Sequence, residues 1–272
     1  MMFPALMILI FIGFPVAFSL FGVAVLFGYI RFGDVLVHQL IAKVDDVASY
    51  YVLSAVPLFI FMGCMLEKSG VSEKLFEAVH LVTRKLPGGL AIATVVLCVF
   101  FAAASGVVGA AESVVGLMVI SVMLRHGYDK GLISGTICAG GSLGTIIPPS
   151  VVVVILSPIA GVGVGNLFVG IMFPGLILAG LYIVYILLRC SIWPEDGPSV
   201  DNGESYGSIA SQTWVVFSSL VPLFGLIFSV LGTIMLGWAT PTEAGAMGAI
   251  GTIILTILYR TFTWVLLKDA FL

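Results

Sequence analysis

Two apolar stretches of this chain carry residues that a continuous helix does not use. The first reads "AAASGVVGAAES" over residues 102–113. It holds Ser105 and Gly106 and, a turn and a half later, the carboxylate of Glu112. The second reads "AGGSLGTIIPPS" over residues 139–150, with three glycines and two adjacent prolines. Breaking a helix frees carbonyl oxygens that otherwise accept i→i+4 hydrogen bonds. Such oxygens, joined by Ser or Thr hydroxyls, suit a hard cation such as Na⁺. The new half-helix N-terminus suits an anion, because its N–H groups point outward and the dipole is positive there. The competing reading is a proline kink with close glycine packing, a common helix contact in membranes. One break alone reads as packing; two breaks in one chain point to a site.

The rest of the sequence says what must hold these breaks. Of 272 residues, 60% are hydrophobic and only 9% charged, against about 25% charged in soluble domains. Mean hydropathy is +1.22, which places the chain in lipid. The net charge of −3 leaves no basic field for nucleic acid. The start lacks a basic n-region and runs too long for a cleaved signal. Cys64, Cys98, Cys138 and Cys190 form no C-x-x-C pair and read as core thiols. His38, His80 and His126 fall in polar connections and read as wetted surface residues.

A crossing needs about 20 apolar residues. Residues 3–30 form the first apolar block, interrupted at Gly13–Pro15, and residues 52–66 the second. Residues 71–86, "VSEKLFEAVHLVTRKL", repeat Val71, Leu75, Val79, Val82 and Leu86 at helical spacing. That pattern reads as an amphipathic helix lying on the membrane surface or, equally, as a connector packed on protein. The apolar block 88–124 has Arg84 and Lys85 before it and Arg125, His126 and Lys130 after it. Positive charge favours the cytoplasmic side, so both ends want the same face. About 37 residues are tight for two crossings, so a re-entrant hairpin turning at Ser105–Gly106 is expected. Residues 131–188 allow two crossings, and 189–213 form the one extended hydrophilic loop. Two more spans follow, at about 215–236 and 242–259. Between them "WATPTEAGA" sets Thr240 as N-cap, Pro241 at the first helical position and Glu243 at the third, a capping box. A well-made helix start is favoured there over a direct substrate role for Thr242 or Glu243. Trp193, Trp214, Trp238 and Trp264 sit near span ends, as interface anchors do. No catalytic signature and no Walker A sequence is present, so the chain is not expected to be an enzyme or to hydrolyse ATP.

In this order the stretches "AVPLFIFMG", "LPGGLA", the "ASG" turn, "RHGYDK", "AGGSLGTIIPPS", "GVGVGNLFVGIMFPGL" and "WATPTEAGAMG" resemble the large membrane subunit of the tripartite ATP-independent periplasmic (TRAP) transporters. The resemblance covers nearly the whole chain. It implies an all-α polytopic membrane protein. This chain would be the first half of an inverted-repeat, elevator-type carrier, with a re-entrant hairpin and an unwound transmembrane helix. It implies a sodium-coupled importer of organic acids in the bacterial inner membrane. The coupling ion is Na⁺ and no other cofactor is implied. The implied partners are a small membrane subunit and a periplasmic substrate-binding protein. By resemblance, Ser105, Gly106, Gly141, Ser142, Gly144, Thr145, Pro148 and Pro149 form half of the sodium and substrate site, with Na⁺ at Ser105, Gly141 and Gly144. Glu112 and Thr242 are further candidates. Family members carry more hydroxyls after the hairpin Ser-Gly, where this chain has Val107 and Val108, and a membrane-depth Glu112 is costly enough to suggest a role. Members also continue into a second repeat beyond "LLKDAFL", so the chain reads as an N-terminal portion. The alternative is a truncated scaffold that binds partners without transporting.

Overall fold

A computed structural model describes residues 2–106, 108–199 and 209–271, leaving aside the side chains of 105, 108–111, 209–215, 219 and 271. Among the described residues all regular structure is helical. The chain divides into two compact units, residues 1–51 and 52–272.

The first unit contains α1 (Met2–Ile12), α2 (Val16–Phe32) and α3 (Val35–Ala48). Gly13 and Pro15 separate α1 from α2, because Gly13 takes φ +98° and Pro15 cannot donate a hydrogen bond. Within this unit only Leu6, Ser19 and Val23 are buried among the described residues. Its apolar surface faces outward, as lipid permits.

The second unit holds the core. It comprises α4 (Ala55–Lys68), α5 (Val71–Thr83), α6 (Gly89–Ser105), α7 (Val108–Arg125), α8 (Lys130–Ser142), α9 (Val151–Ala160) and α10 (Val164–Ile192). After the connection come α11 (Ile209–Ile227), a π turn (Phe228–Gly232) running into α12 (Thr233–Met235), then α13 (Pro241–Leu258) and α14 (Trp264–Phe271). Four helical runs are long and apolar enough to cross a membrane: Tyr51–Lys68, Val164–Ile192, Val216–Met235 and Pro241–Leu258.

Helix α6 is the centre of the unit. Leu90, Val95, Leu97 and Cys98 are all buried, so the helix is apolar and covered nearly all round. Its N-terminus is pinned from three directions. The Leu90 amide donates to the Tyr128 hydroxyl at 3.2 Å. The Gly88 amide donates to the Gly197 carbonyl at 2.9 Å. The Thr83 hydroxyl donates to the Gly89 carbonyl at 2.9 Å. Burial pushes the Tyr128 phenol up to about 12, so it stays a neutral hydroxyl at this junction.

The capping box at α13 forms as its sequence prescribes. The Glu243 amide donates to the Thr240 hydroxyl at 3.4 Å, and the Thr240 amide donates back to the Glu243 carboxylate at 2.7 Å. Helix α13 packs on α4, where Gly245 and Gly248 make room for Leu58 and Met62.

Helix α5 buries Val71, Leu75 and Val79 against protein, with α6 and α11 as neighbours, while Val82 stays exposed, as does Leu86 in the turn that follows the helix. These contacts support the packed-connector alternative for that segment. His80, expected in water, is a correction: its ring is half-buried and stacks on Phe76 with centroids 6.1 Å apart. Its Nδ1 is buried with no hydrogen-bond partner. Burial holds its pKa below the ordinary imidazole value, and nearby His126 and Arg84 add to the effect. A helical face with apolar residues on both sides of a histidine carries it inward, whatever the polarity of the flanking sequence.

Candidate functional site: two facing backbone breaks

Helices α6 and α7 pack on each other and are joined at Gly106, which takes φ +61° and closes α6 by donating its amide to the Ala102 carbonyl at 3.1 Å. An L residue pays for that conformation with roughly 1–2 kcal/mol, and glycine does not. Both arms also pack on the second break. There α8 ends at Ser142, a 3₁₀ turn spans Leu143–Thr145, residues 146–150 are non-helical, and α9 starts at Val151. Two consecutive residues without N–H groups, Pro148 and Pro149, prevent the i→i+4 ladder from continuing. The peptide bond between them is cis.

Three glycines let the two breaks meet. A Cβ on Gly106 would collide with the Pro149 carbonyl oxygen, so the hairpin tip lies directly on the proline pair. A Cβ on Gly141 would collide with the Glu112 side chain. A Cβ on Gly140 would come within 2.7 Å of Cys98 Sγ. From the far side α10 offers Gly175 to Ile146 and Ile147. Irregular backbone at membrane depth persists only where protein or a watered cavity covers it. Residues 147–150 are buried here, and the covering elements are α6, the hairpin tip and α10.

The sequence-predicted residues fall as follows. Gly106 meets Pro149, the neighbour of Pro148, and Gly141 meets Glu112, which is half-buried. Ser142 and Thr145 turn their hydroxyls back onto the chain, donating to the carbonyls of Ala139 at 2.7 Å and Ser142 at 2.8 Å. Gly144 is buried inside the 3₁₀ turn. The Ser105 side chain and Val107 lie outside the described residues. Thr242, at the start of α13, has its hydroxyl 3.4 Å from that of Ser54, the residue that precedes α4.

One residue of the break was not singled out from sequence. Ser150 is fully buried and its hydroxyl has no hydrogen-bond partner. It precedes α9 in the N-cap position yet makes no side-chain capping bond. A serine before an apolar run signals an N-cap; what the signal does not say is that the hydroxyl is left over. A buried unpartnered hydroxyl costs about 1–3 kcal/mol. Here it sits next to the contact between Gly106 and Pro149, at the start of a half-helix. The arrangement offers a hydroxyl, non-helical backbone and a helix N-terminus in one buried place.

The helical architecture, its apolar spans and two covered backbone breaks define an all-α polytopic membrane protein. The family model described as "Tripartite ATP-independent periplasmic transporter, DctM component" matches residues 3–272, and the chain belongs to that family. It is 34% identical to the C4-dicarboxylate TRAP transporter large permease protein of Vibrio cholerae over 242 residues, covering 88% of this chain and 51% of that protein. It is 33% identical to the corresponding protein of Pseudomonas aeruginosa over 216 residues, covering 79% and 48%. An isethionate TRAP transporter permease of Oleidesulfovibrio alaskensis is 30% identical over 241 residues, covering 88% and 36%. The chain therefore spans about half the length of the curated relatives it matches.

Proposed function

We propose that the chain forms one half of the sodium and substrate site in the large permease subunit of a secondary importer of small organic anions. The observation that carries the reading is the contact of the Gly106 tip with Pro149, beside the buried, unpartnered Ser150 hydroxyl. Na⁺ is bound by oxygens freed at the two breaks, Ser105 and Gly106 on one side and residues 141–145 on the other. The N-terminus of α9 and Ser150 face the anionic group of the substrate. Helices α6 and α7 have 17 and 18 residues, about 25–27 Å each, so a hairpin based at the interface ends inside a ~30 Å hydrocarbon core. That length is at the lower limit of a crossing, and the basic residues at both ends of the block support a re-entrant hairpin. Glu112 packs the tip-side arm against Gly141, beside the second break.

The substrate class rests on relatives: proteins matched along most of this chain are named for C4-dicarboxylates, isethionate and ectoine. Carboxylate and sulfonate share the delocalised negative charge that a helix N-terminus favours. The working assembly is in the bacterial inner membrane, with a small membrane subunit and a periplasmic binding protein that delivers the substrate. It acts as a carrier and not as an enzyme.

The test is uptake by the complete transporter in proteoliposomes with and without a Na⁺ gradient. Uptake driven only in the presence of the gradient is expected; equal uptake without sodium overturns the coupling. A Ser150→Ala variant is expected to keep or raise its ligand-free melting temperature and to lose about fivefold to tenfold in apparent affinity for Na⁺ or substrate, the value of one buried hydrogen bond. Unchanged affinities would remove Ser150 from the site.

A further inference from the structure

Away from the two breaks, a groove of about 480 Å³ runs between α8 and α10. On the α8 side it is lined by Gly131, Gly135 and Ala139, one residue per turn. A Cβ on Gly135 would meet nothing within 4 Å, so at that position the wall faces open space among the described residues, whereas a Cβ on Gly131 would lie 3.0 Å from Asp129 Oδ1. Thr136 lines the same wall, is 4% exposed, and its hydroxyl has no hydrogen-bond partner. The deep end is apolar. Gly131 to Ala139 spans about 12 Å along α8.

The other end of the groove is charged. Arg189, in the last turn of α10, donates from Nε to Asp196 at 2.8 Å and to the Tyr185 hydroxyl at 3.0 Å, and lies 3.7 Å from Asp129. A second hollow of about 590 Å³ shares Tyr185 and Arg189 with the groove and extends to Trp193 and Asp196. The exposed Trp193 marks the level of the lipid headgroups. A guanidinium has five N–H donors, and these contacts leave some of them available. One guanidinium between two carboxylates leaves this rim one negative charge in excess. Such a rim repels a net-anionic headgroup. It suits a headgroup that offers a phosphate to Arg189 and an ammonium to Asp196, which lines the hollow, while Asp129 lies behind as the N-cap of α8.

We propose that this groove is a binding site for a phospholipid with a primary-ammonium headgroup. One acyl chain lies against the Gly131–Gly135–Ala139 stripe. The Thr136 hydroxyl donates to an ester carbonyl, and the phosphate and ammonium occupy the hollow at Arg189, Trp193 and Asp196. The small residues admit a chain where larger ones would fill the space. The buried hydroxyl points to an occupant with an oxygen acceptor at that depth, which bare hydrocarbon lacks. The site is independent of the sodium and substrate reading.

The experiment is native mass spectrometry of the intact transporter, released from micelles doped with phosphatidylethanolamine or phosphatidylglycerol. Wild type is expected to retain phosphatidylethanolamine about tenfold better. Gly135→Leu, which fills open space, is expected to lose most of that retention with an unchanged melting temperature in lipid-free detergent. Thr136→Val is expected to lose about fivefold, the worth of one buried hydrogen bond. Equal retention of the two lipids overturns the charge argument. Wild-type retention by both variants overturns the location. A Gly135→Cys thiol that crosslinks to another transporter helix shows the groove to be filled by protein, and also overturns the proposal.

Discussion

Residues 139–150 and helix α10 contain the same helix-breaking residue types, yet only the first is broken. Helix α10 runs unbroken for 29 residues through Pro174, with Gly170, Gly175 and Gly180 along it. Pro158 and Pro222 likewise lie inside continuous helices. A single proline removes one donor and distorts one turn; neighbouring groups absorb that. The pair Pro148–Pro149 removes two consecutive donors, and the preceding glycines add no helical preference to resist. Surroundings complete the difference. Much of α10 is exposed, with Phe173, Ile177, Leu181 and Leu188 facing outward, and in lipid such a helix must keep its own hydrogen bonds. Residues 147–150 are buried, so protein groups or a bound ion can replace the missing ones. The broken helix of this chain thus combines a strong local breaker with a cover.

The sharpest way to break this comparison is to remove the cover. Gly106→Val should cost about 3 kcal/mol, from the αL penalty and overpacking against the Pro149 carbonyl. Thermal unfolding of the detergent-solubilised protein and uptake by the complete transporter measure it, and uptake should fall below about a tenth, a loss of more than ~1.4 kcal/mol of function. The breaker comes next. Replacing both Pro148 and Pro149 with alanine should lower uptake about tenfold, whereas Pro174→Ala should change it less than about twofold, since α10 is already continuous. Similar effects of the two replacements would erase the distinction drawn between the regions.

A smaller effect is expected where hairpin and break touch through a side chain. Gly141→Ala should destabilise by about 1–3 kcal/mol, because its Cβ meets Glu112. In a Glu112→Ala background the cost should shrink by about 1 kcal/mol, the coupling a double-mutant cycle detects between residues in contact. Additive costs would mean that Glu112 does not press on Gly141. The smallest effect lies outside the comparison and sharpens it by contrast. His80 resists protonation in the folded state, so the unfolded chain binds the extra proton first as pH falls through about 6.5. Stability should fall on acidification through that value, and His80→Gln should flatten the melting-temperature profile without changing sodium affinity.

Much of this was legible from particular residues. Thr240, Pro241 and Glu243 predicted a capping box, and it forms, because every atom involved lies within four residues. The interruption at Gly13–Pro15, the break at residues 139–150 and the four long apolar runs were readable for the same reason: backbone preference and hydropathy are local. Ser150 and His80 were not. Each belongs to a polar type whose fate is set by what packs over it, and the packing partners are distant in sequence. Nor does a serine before a helix announce whether its hydroxyl will cap, bond elsewhere or be left unpartnered.

The amino-acid sequence alone determined that this is an all-helical membrane chain, where its helices break, and which family it resembles, because glycine, proline and apolar periodicity act within a turn or two. Only the tertiary structure decided that the two breaks touch. Gly106 meets Pro149, and Glu112 meets Gly141, across 43 and 29 positions of the chain. No local preference encodes such meetings; they exist because α6, α7 and α8 pack closely enough that only residues without a side chain fit between them.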